Sequence, residues 1–324
     1  MKRKAAERPL LLPLVPLYEL GLALRERKFR PGSSSIRRLR WPVVSVGNLS
    51  TGGSGKTPLV IAIANALTER GVRVDVLSRG YGRSAKGAAR VDPDGTAAEF
   101  GDEPLEIARA TGAPVFVAAE RYEAGLMAER TGDSCVHLLD DGFQHRQLAR
   151  DVDILLLGSD DLADHLLPAG NLREALQAAE RAQVIAVPAD DADAEKAMRA
   201  RGWGGLVWRV RRRMEVPNID GAVAAFCGIA RPPRFFAGLE AAGVNVAWRA
   251  AFGDHHLYSA SDLKRIEAEA RRVGAAAILT TEKDRARLGA LAASLPIQTV
   301  PLRIEIEDER TAIEWLMSRV NDRA

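Results

Sequence analysis

Residues 43–57 read VVSVGNLSTGGSGKT, and this stretch decides the fold. Its β-branched start, Val43–Val46, predicts a strand, and the apolar residues of Pro58–Arg70 recur at helical spacing up to Gly71. A glycine-rich loop between a strand and a helix is the context in which the pattern GxxxxGK[ST] forms a phosphate-binding P-loop. The sequence departs from this pattern only at the first position, where Ser50 replaces glycine.

The residue types of this loop suit phosphate binding. Glycines let the backbone curl until successive N–H groups point at phosphate oxygens, and the positive end of the following helix adds to the attraction. In that role Lys56 neutralises charge on the β- and γ-phosphates, and the Thr57 hydroxyl ligates Mg²⁺. The residues predicted to bind the nucleotide here are Ser50, Thr51, Gly52, Gly53, Ser54, Gly55, Lys56 and Thr57.

Outward from the loop, short apolar runs alternate with helical patterns. The predicted strands are Val72–Leu77, Val115–Ala118, Cys135–Leu139, Ile154–Leu157 and Val184–Val187, and predicted helices between them include Glu103–Ala110 and Arg121–Arg130. Alternating strands and helices predict a parallel sheet with helices on both faces. The predicted class is therefore α/β, with a P-loop NTPase-like, mostly parallel sheet covered by helices.

A second, smaller α/β domain is predicted beyond Gly202, because 324 residues exceed what one hydrophobic core usually holds. Its predicted strands are Val223–Cys227, Val246–Phe252 and Ala276–Thr280, its predicted helices are Pro233–Ala242 and Ser261–Val273, and a strand at Leu206–Val210 precedes them. The predicted domain ranges are 1–41 for an N-terminal membrane-associating segment, 42–205 for the P-loop core and 206–324 for the smaller domain.

Two consecutive acids end another apolar strand. Residues 135–142 read CVHLLDDG, so Asp140 and Asp141 follow a buried run. A carboxylate at the carboxyl end of a neighbouring parallel strand faces the phosphate crevice and can hold Mg²⁺. We therefore predict a magnesium site from Thr57, Asp140 and Asp141, although Asp-Asp-Gly also favours a simple turn. The segment Thr281–Asp284 lacks the spacing of a guanine-reading [NT]KxD motif, so ATP is predicted rather than GTP.

The N-terminal segment carries the charge asymmetry of the chain. Within residues 1–41, eleven Lys or Arg stand against three acids, a net +8, whereas the whole chain has +3. The apolar run Leu10–Leu24 contains Pro13, Pro16 and Glu19 and is shorter than the roughly 20 apolar residues that a spanning helix needs. Its basic flanks favour a helix lying on an anionic lipid surface. A helix packed on its own domain is the alternative.

The composition, with 47% hydrophobic and 27% charged residues, is that of a folded protein and excludes global disorder. Cys135 and Cys227 lie in separate apolar runs without metal-ligand spacing, so two reduced thiols are expected. Basic and aromatic residues are not interleaved in the N-terminal segment, so no nucleic-acid partner is predicted.

Motifs spread along the chain resemble those of the tetraacyldisaccharide 4'-kinase family of lipid A biosynthesis. Besides the P-loop they are LSRGYGR at 77–83, GDEP at 101–104, DDGFQH at 140–145, LPAG at 167–170, LRE at 172–174, FCGIA at 226–230, PPRFF at 232–236, FGDHH at 252–256 and TEKD at 281–284. The resemblance implies that ATP, with Mg²⁺, phosphorylates the 4'-hydroxyl of an acylated disaccharide 1-phosphate, giving the 1,4'-bisphosphate.

The resemblance also implies the proton acceptor. Asp102 is expected to be the base for the hydroxyl, partnered by His255 of the second domain, and the pair would form when the two domains close over the substrate. From the residues alone, Asp102 is interpreted as the N-cap of a helix, since Pro104 and Glu106 suit its first turn. Gln144 and His145 are expected near the nucleotide, in roles that the resemblance leaves open.

Three arginines follow strands or precede helices, where bidentate donors can hold phosphate. Arg173 is predicted to stabilise the γ-phosphate, and Arg79 and Arg83 are candidates for the 1-phosphate of the lipid. Tyr81 and Phe143 are expected only to pack. The predicted catalytic set is Asp102, His255, Lys56 and Arg173.

The resemblance implies a monotopic enzyme at the cytoplasmic face of the Gram-negative inner membrane. Its partners would be the acylated disaccharide lipid and an anionic membrane surface, without an obligate protein partner. Two other functions stay open at this point. A P-loop kinase of a soluble small molecule would not need the basic apolar segment, and a nucleotide-dependent switch would bind ATP without transferring phosphate to an acceptor.

Overall fold

The structure is a computed structural model that describes residues 7–29, 33–53, 55–132 and 135–321. Its strands are β1 (Val43–Asn48), β2 (Val74–Ser78), β3 (Ala89–Arg90), β4 (Val115–Val117), β5 (Val136–Asp140), β6 (Val152–Leu156), β7 (Val184–Pro188), β8 (Leu206–Met214), β9 (Ala222–Cys227), β10 (Asn245–Ala251), β11 (Ala277–Thr281), β12 (Ile297–Val300) and β13 (Leu302–Ile306). Its α-helices are α1 (Val15–Lys28), α2 (Lys56–Glu69), α3 (Ala97–Phe100), α4 (Asp102–Ala110), α5 (Arg121–Thr131), α6 (Ser159–Ala163), α7 (Ala192–Arg199), α8 (Pro232–Ala241), α9 (Ala260–Arg272), α10 (Glu282–Leu288) and α11 (Glu309–Asn321). Short 3-10 helices lie at Pro9–Leu14, Leu176–Arg181 and Gly289–Ser294.

The larger sheet has the strand order β13-β8-β7-β6-β1-β5-β2-β4-β3. Its strands run parallel except at the edges, where β3 pairs antiparallel with β4 and β13 with β8. β1 lies between β5 and β6, and Val46 of β1 pairs with Asp140 of β5. The P-loop after β1 and the acids at the end of β5 therefore share one edge of the sheet. The predicted mostly parallel α/β sheet is confirmed.

Alternate side chains of the strands enter opposite faces of this sheet, as the pleat of a strand requires. Val44 and Val46 pack against one core with residues of α2, α4 and α11. Val43 packs on the other face with residues of α5, and α7 covers a neighbouring part of that face. Burying one such side chain fully contributes about 1.5–3 kcal/mol, so the central strands hold the phosphate-facing edge in place.

The smaller sheet has the order β10-β9-β11-β12, with all neighbours parallel. Residues of α8 and α9 pack on its two faces. We call this sheet with α8–α10 the small lobe, and the nine-stranded sheet with its helices the large lobe. The predicted range 206–324 differs from the small lobe, because β8, β13 and α11 belong to the large lobe. Leu302 of β13 pairs with Met214 of β8, a long-range pairing that no local pattern reveals.

The N-terminal helix α1 lies on the large lobe with polar contacts on one side. The Tyr18 hydroxyl donates to Arg173 O at 2.9 Å, and Arg25 donates to the carbonyl of Gln144. The leucines of α1 and of the preceding turn are exposed at Leu10, Leu12, Leu14, Leu17, Leu20 and Leu24. Among the described residues no helix has both the length and the apolar character to cross a membrane.

Candidate functional site

The P-loop runs from the end of β1 to the start of α2. Gly52, Gly53 and Gly55 have φ values of 74°, 46° and 94°, a left-handed conformation that favours glycine. Ser50 occupies the first position of the motif because its side chain is buried and its hydroxyl accepts a hydrogen bond from Asn48 Nδ2 at 3.1 Å. Ser54, which the sequence also predicts to bind the nucleotide, lies outside the described residues.

One amide of this loop is already satisfied within the protein. The Thr51 N–H donates to Asn171 O at 2.8 Å, and the Arg173 N–H donates to Leu49 O at 2.7 Å. These two bonds tie the loop to residues 171–173. Thr51 therefore does not offer its backbone N–H to a phosphate in this arrangement, although it lines the cleft.

Lys56 and Thr57 form the first turn of α2. The Lys56 Nζ donates to Asn48 Oδ1 at 3.0 Å and lies 3.5 Å from Asp141 Oδ1. Thr57 is buried at the wall of the same cleft. Asn48, the last residue of β1, thus holds both Ser50 and Lys56, a role for which its sequence context gives no signal.

The two predicted acids differ in their surroundings. Asp140 is 1% exposed; one of its oxygens accepts from the Ser78 hydroxyl at 3.2 Å, and Oδ1 has no partner among the described residues. Burial, together with the charges of Glu103 and Asp141, raises the pKa of Asp140 to about 7. An unpaired buried carboxylate oxygen close to the phosphate loop is what a bound cation would stabilise.

Asp141 instead is engaged by cations. Arg173 donates to its two oxygens at 3.0 and 2.8 Å, a forked pair, and Lys56 lies nearby. Burial raises the pKa of Asp141, but the Lys56 and Arg173 charges outweigh burial and hold that pKa well below its usual range. Its backbone is left-handed at φ 48°, and Asp141 is the first residue after β5.

A magnesium ion fits this donor set. The described residues contain no group of three or more His, Cys, Asp or Glu arranged around one point. Mg²⁺ in kinases usually takes one or two carboxylates and completes its shell with phosphate oxygens and water. The unpartnered Oδ1 of Asp140, with the hydroxyl of Thr57, meets that need, and Asp141 would have to release Arg173 or Lys56 to join it.

The predicted residues Gln144 and His145 lie in a cationic part of the cleft. Gln144 Nε2 donates to Asn48 O at 2.9 Å. Burial and the charges of nearby arginines lower the pKa of His145 to about 3, so its imidazole is neutral. These arginines are Arg121, Arg150, Arg25 and Arg79. Within the described parts of the chain, His145 Nε2, Gln144 Oε1 and Arg121 Nε are buried without a hydrogen-bond partner.

Arg121, the first residue of α5, was not predicted as a site residue. It is 6% exposed, and burial lowers its pKa to about 10 although Asp140 and Asp141 oppose the shift. Sequence reasoning missed it because a lone arginine at a helix start carries no motif. Its position after β4 at the carboxyl edge of the parallel sheet is the signal that could have found it.

Asp102 and His255 are brought together, as predicted. His255 Nδ1 lies 3.2 Å from Asp102 Oδ2, and the Asp102 side chain is 5% exposed against 39% for His255. His255 lines the cleft, while Asp102 lies behind it. The hydrogen bond from Asp102 raises the pKa of His255, although burial opposes the rise. The expected direct base is therefore the more buried member of the pair, and the imidazole is the member that faces the cleft.

The remaining predicted residues divide between cleft and periphery. Arg79 and Tyr81 line the cleft, and the Tyr81 ring, 62% exposed, lies 5.3 Å from the His255 ring. The expectation that Tyr81 only packs is therefore wrong. Arg83 donates to Gly87 O of its own loop, which disfavours the predicted role at a phosphate. Phe143 is fully buried in the core, as expected.

The cleft between the lobes has a volume of ≈ 1280 Å³. At the P-loop the small lobe approaches closely, since a Cβ at Gly52 would lie 2.9 Å from Ala230 Cβ and one at Gly53 would lie 3.3 Å from Arg231 Cγ. Beside this contact the cleft has an apolar wall, formed by Met214, Ile229, Phe235, Ala241, Ala242, Val300 and Leu302. A phosphate loop next to an apolar wall suits a ligand with a phosphate tail and a flat base.

The segment TEKD at 281–284 has structural roles that the sequence did not suggest. Thr281 caps α10 by accepting from the Asp284 N–H at 3.1 Å. Lys283 Nζ contacts Glu103 Oε1 of the large lobe at 2.7 Å. Glu103, Lys283 and Arg287, which is on the same helix as Lys283, all line the cleft and were missed, because the paired residues are about 180 positions apart in the chain.

Comparisons with known proteins identify the same family over nearly the whole chain. The family model described as Tetraacyldisaccharide-1-P 4'-kinase matches residues 7–321. A tetraacyldisaccharide 4'-kinase from Koribacter versatilis is 43% identical over 322 residues, covering 96% of this chain and 99% of that protein. One from Geobacter metallireducens is 39% identical over 306 residues, covering 89% and 90%. The crystal structure of an apo-form LpxK from Aquifex aeolicus in complex with ATP has a TM-score of 0.76 at 32% identity, covering 96% of this chain and 98% of that one.

Proposed function

The chain belongs to the tetraacyldisaccharide-1-P 4'-kinase family, and we propose how its residues transfer the γ-phosphate of ATP to the 4'-hydroxyl of the acylated disaccharide 1-phosphate. One observation carries the proposal. Lys56 of the P-loop and His255, which is bonded to Asp102 of the other lobe, line the same cleft. A phosphate clamp and a proton acceptor therefore face one volume, which in-line transfer to a hydroxyl requires.

The phosphates of ATP are held by the P-loop in this proposal. The amides of Gly52, Gly53 and Gly55 and the N-terminal end of α2 attract the phosphate tail, and Lys56 moves its ammonium from Asn48 and Asp141 to the β- and γ-phosphates. The apolar wall that begins at Met214 receives the base. Arg173, already forked onto Asp141, is placed to stabilise charge on the transferred phosphoryl group.

Asp140 and Thr57 would hold Mg²⁺, with Asp141 as the second carboxylate. When bound, the ion would supply charge neutralisation at the phosphates. Burial and the neighbouring acids raise the pKa of Asp140, and a cation held by this carboxylate would offset their effect.

The Asp102–His255 pair accepts the proton of the 4'-hydroxyl. His255 lines the cleft, and Asp102 fixes the Nδ1 side of the imidazole and stabilises the imidazolium as it forms. Because the imidazole must be neutral to accept the proton, activity falls as pH drops through the raised pKa of His255. Carboxylate and imidazole come from different lobes, so the pair depends on lobe closure.

The cationic part of the cleft is proposed to bind the 1-phosphate of the disaccharide. Arg79, Arg121 and the neutral His145 face this region together with Arg25 of α1. Their excess of positive charge and the unpartnered buried nitrogens of Arg121 and His145 suit a doubly charged oxyanion. Arg83, which donates within its own loop, is left out of this set.

The outer side of α1 is proposed to lie on the membrane that contains the lipid, on the cytoplasmic face of the Gram-negative inner membrane. Its polar contacts through Tyr18 and Arg25 leave the leucines exposed, with Leu17, Leu20 and Leu24 at helical spacing. Apolar side chains flanked by a basic segment favour an anionic bilayer surface. The lipid headgroup would then enter the cleft beside this helix.

The test follows ³²P from labelled ATP to detergent-solubilised tetraacyldisaccharide 1-phosphate in the presence of Mg²⁺, with Asp102→Ala, His255→Ala and the native chain compared. We expect transfer by the native chain and a loss on the order of 10²–10⁴-fold in each variant. Asp94→Ala, an exposed acid on a loop, is the matched control. A folded native chain that binds ATP without labelling the lipid contradicts the proposed transfer, and full activity of either variant removes that residue from the pair.

A further inference from the structure

Arg287, on the small-lobe helix α10, makes contacts with both members of the proposed proton-accepting pair. Its side chain is 3% exposed. Its Nε donates to Asp102 Oδ2 at 2.8 Å, and its Nη2 donates to the same oxygen. The Nη2 also lies 3.3 Å from His255 Nδ1. Guanidinium, carboxylate and imidazole therefore form a closed triangle across the lobe interface.

The guanidinium is itself fixed from behind by the small lobe. Its Nη1 donates to Gly228 O and to Asp284 Oδ1. Asp284 is fully buried and also accepts from the Tyr258 hydroxyl at 2.9 Å and from the Gly228 N–H at 3.0 Å. Because Nη1 is bonded twice within the small lobe, the guanidinium has few rotamers left, and its direction is set before the lobes meet.

Among the residues that the structure describes, Asp102 has no comparable support in its own lobe. Its Oδ1 accepts from the adjacent Glu103 N–H at 3.0 Å, and the partners of Oδ2 are His255 and Arg287, both of the small lobe. A carboxylate at the start of α4 with one local hydrogen bond would otherwise sample several rotamers. The small lobe therefore determines where this carboxylate points.

We propose that Arg287 is the positioning residue of the pair: anchored by Asp284, it holds the Asp102 carboxylate against His255 so that the proton acceptor exists only while the lobes are closed. This inference rests on the proposed role of Asp102 and His255. Arg287 lines the cleft but acts on the hydroxyl through these two residues.

The charges around the pair give the pH dependence. From α10, Arg287 and Lys283 face Asp102, while Glu103 and Glu106 lie on its own helix. Burial raises the pKa of Asp102, but the His255 hydrogen bond and the Arg287 and Lys283 charges outweigh it and hold the pKa well below its usual range. On His255, the Asp102 bond and the Asp254 charge raise the pKa, whereas burial and Arg287 lower it.

Removing the Arg287 guanidinium therefore raises the pKa of both Asp102 and His255. The acidic limb of the kcat profile reports the protonation that inactivates the pair, so this limb moves to higher pH in Arg287→Ala. We expect kcat at neutral pH to fall by about 10²-fold, the order seen when one preorganised donor is lost. The KM for ATP should stay within about threefold, because Arg287 contacts the pair and not the P-loop.

The experiment measures kcat, both KM values and the pH profile for Arg287→Ala and Arg287→Lys, with Arg285→Ala on the same helix as control. Circular dichroism and thermal unfolding first establish that each variant is folded, and Arg287→Lys serves if Arg287→Ala is not. Low millimolar guanidinium is then added. We expect added guanidinium to restore part of kcat in Arg287→Ala and to have no effect on kcat in Lys56→Ala. The kcat, KM values and pH profile of Arg285→Ala should equal those of the native chain.

A folded Arg287→Ala with native kcat and an unshifted acidic limb overturns the inference. A lower kcat with an unshifted limb and no rescue by guanidinium also overturns it, since that result marks a structural role only. Asp102→Ala in the same assay separates the two levels: if it is active, the proposed pair itself fails, whereas if it is inactive while Arg287→Ala is native-like, only the role of Arg287 fails.

Discussion

The large lobe carries its phosphate chemistry on two short segments, the P-loop after β1 and Asp140–Asp141 after β5, which adjacent parallel strands bring to one edge. The small lobe presents His255, Lys283 and Arg287 from two separate segments, and each reaches a carboxylate of α4. One lobe thus holds its functional groups by backbone topology. The other lobe joins its functional groups to the site through ion pairs across the cleft.

The charges that meet across the lobe boundary are mostly divided by sign. The large lobe supplies acids at Asp102, Glu103 and Asp160, and small-lobe cations meet them. The signs are reversed where Arg303 of β13 pairs with Glu282 of α10 at 2.9 Å. The Asp102–Arg287 pair is buried, whereas Asp160 and Arg234 are 63% and 43% exposed. The difference teaches that closure is specified by charge complementarity and that its strength is concentrated in the buried pair.

The largest effect is expected in the large lobe, where strand topology places the phosphate-binding residues. Lys56→Ala removes the P-loop ammonium and should lower kcat/KM by at least about 10³-fold, since charge stabilisation in a closed phosphate site is worth that order. Steady-state phosphate transfer measures it, with the exposed Lys86→Ala as control. A loss of less than tenfold would mean that the P-loop does not hold the phosphates. It would contradict the assignment of phosphate binding to the large lobe.

The second effect tests the cationic region of the large lobe. Arg121→Ala removes a buried guanidinium beside His145 and should raise the KM for the lipid by about 10–100-fold, the range for one charge-assisted hydrogen bond. The KM for ATP should stay within about threefold. Arg130→Ala, exposed near the other end of α5, is the control. A rise in the KM for ATP alone would move Arg121 from the lipid side to the nucleotide side.

The third effect concerns stability within the large lobe. His137 of β5 is fully buried and its Nδ1 lies 2.8 Å from Asp75 Oδ1 of β2. Burial lowers the pKa of His137, but the Asp75 hydrogen bond and charge and the nearby Glu129 outweigh burial and raise it. The resulting stability is fully present below the unfolded pKa of about 6.5 and is lost as pH rises through the folded pKa.

His137→Asn should therefore destabilise the chain by about 3 kcal/mol below pH 6.5, because it leaves a buried charge unpaired. The gap to the native chain should narrow as pH rises. Thermal unfolding of both chains between pH 5.5 and 9 measures this gap. A gap that does not change with pH would show that His137 is not the titrating group.

The smallest effect is expected at the exposed ion pair between the lobes. Asp160→Ala removes the partner that Arg234 contacts at 3.0 Å and should change stability by less than about 1 kcal/mol, as exposed pairs do. The KM for ATP should change by less than about threefold. Chemical denaturation and steady-state kinetics measure both. An effect as large as that of Arg287→Ala would show that the exposed ion pair between the lobes contributes as much as the buried one.

The sequence predicts the phosphate-facing half well because its signals are local. The P-loop motif, the strand before it and the two acids ending β5 lie within runs of about ten residues, and parallel topology brings them together. Strand β5 extends one residue further than predicted, which makes Asp140 its last residue and Asp141 the first residue outside it. That single step explains why one acid is buried and the other is turned towards the cations.

The strands and helices of the small lobe follow local patterns, but its functional side chains could be predicted only where a family resemblance pointed to them. His255 has a left-handed backbone at φ 57°, which no pattern of apolar residues reveals. Arg287 is one of many arginines in the chain, and its partner Asp102 lies 185 residues away. The domain range also differed from the sheets, because β13 returns to the large sheet after the whole small lobe has been formed. The local spacing of apolar residues does not predict which sheet a distant strand joins.

Residues 169–173 connect the N-terminal helical segment to the P-loop. On one side the Arg8 N–H donates to Ala169 O and the Tyr18 hydroxyl donates to Arg173 O; on the other side Thr51 and Leu49 bond to Asn171 and Arg173. One short stretch of backbone is therefore shared by two binding surfaces. Coupling between two binding sites is reciprocal. If a ligand on the surface of this helix changes the affinity for the nucleotide by some factor, the nucleotide changes the affinity for that ligand by the same factor.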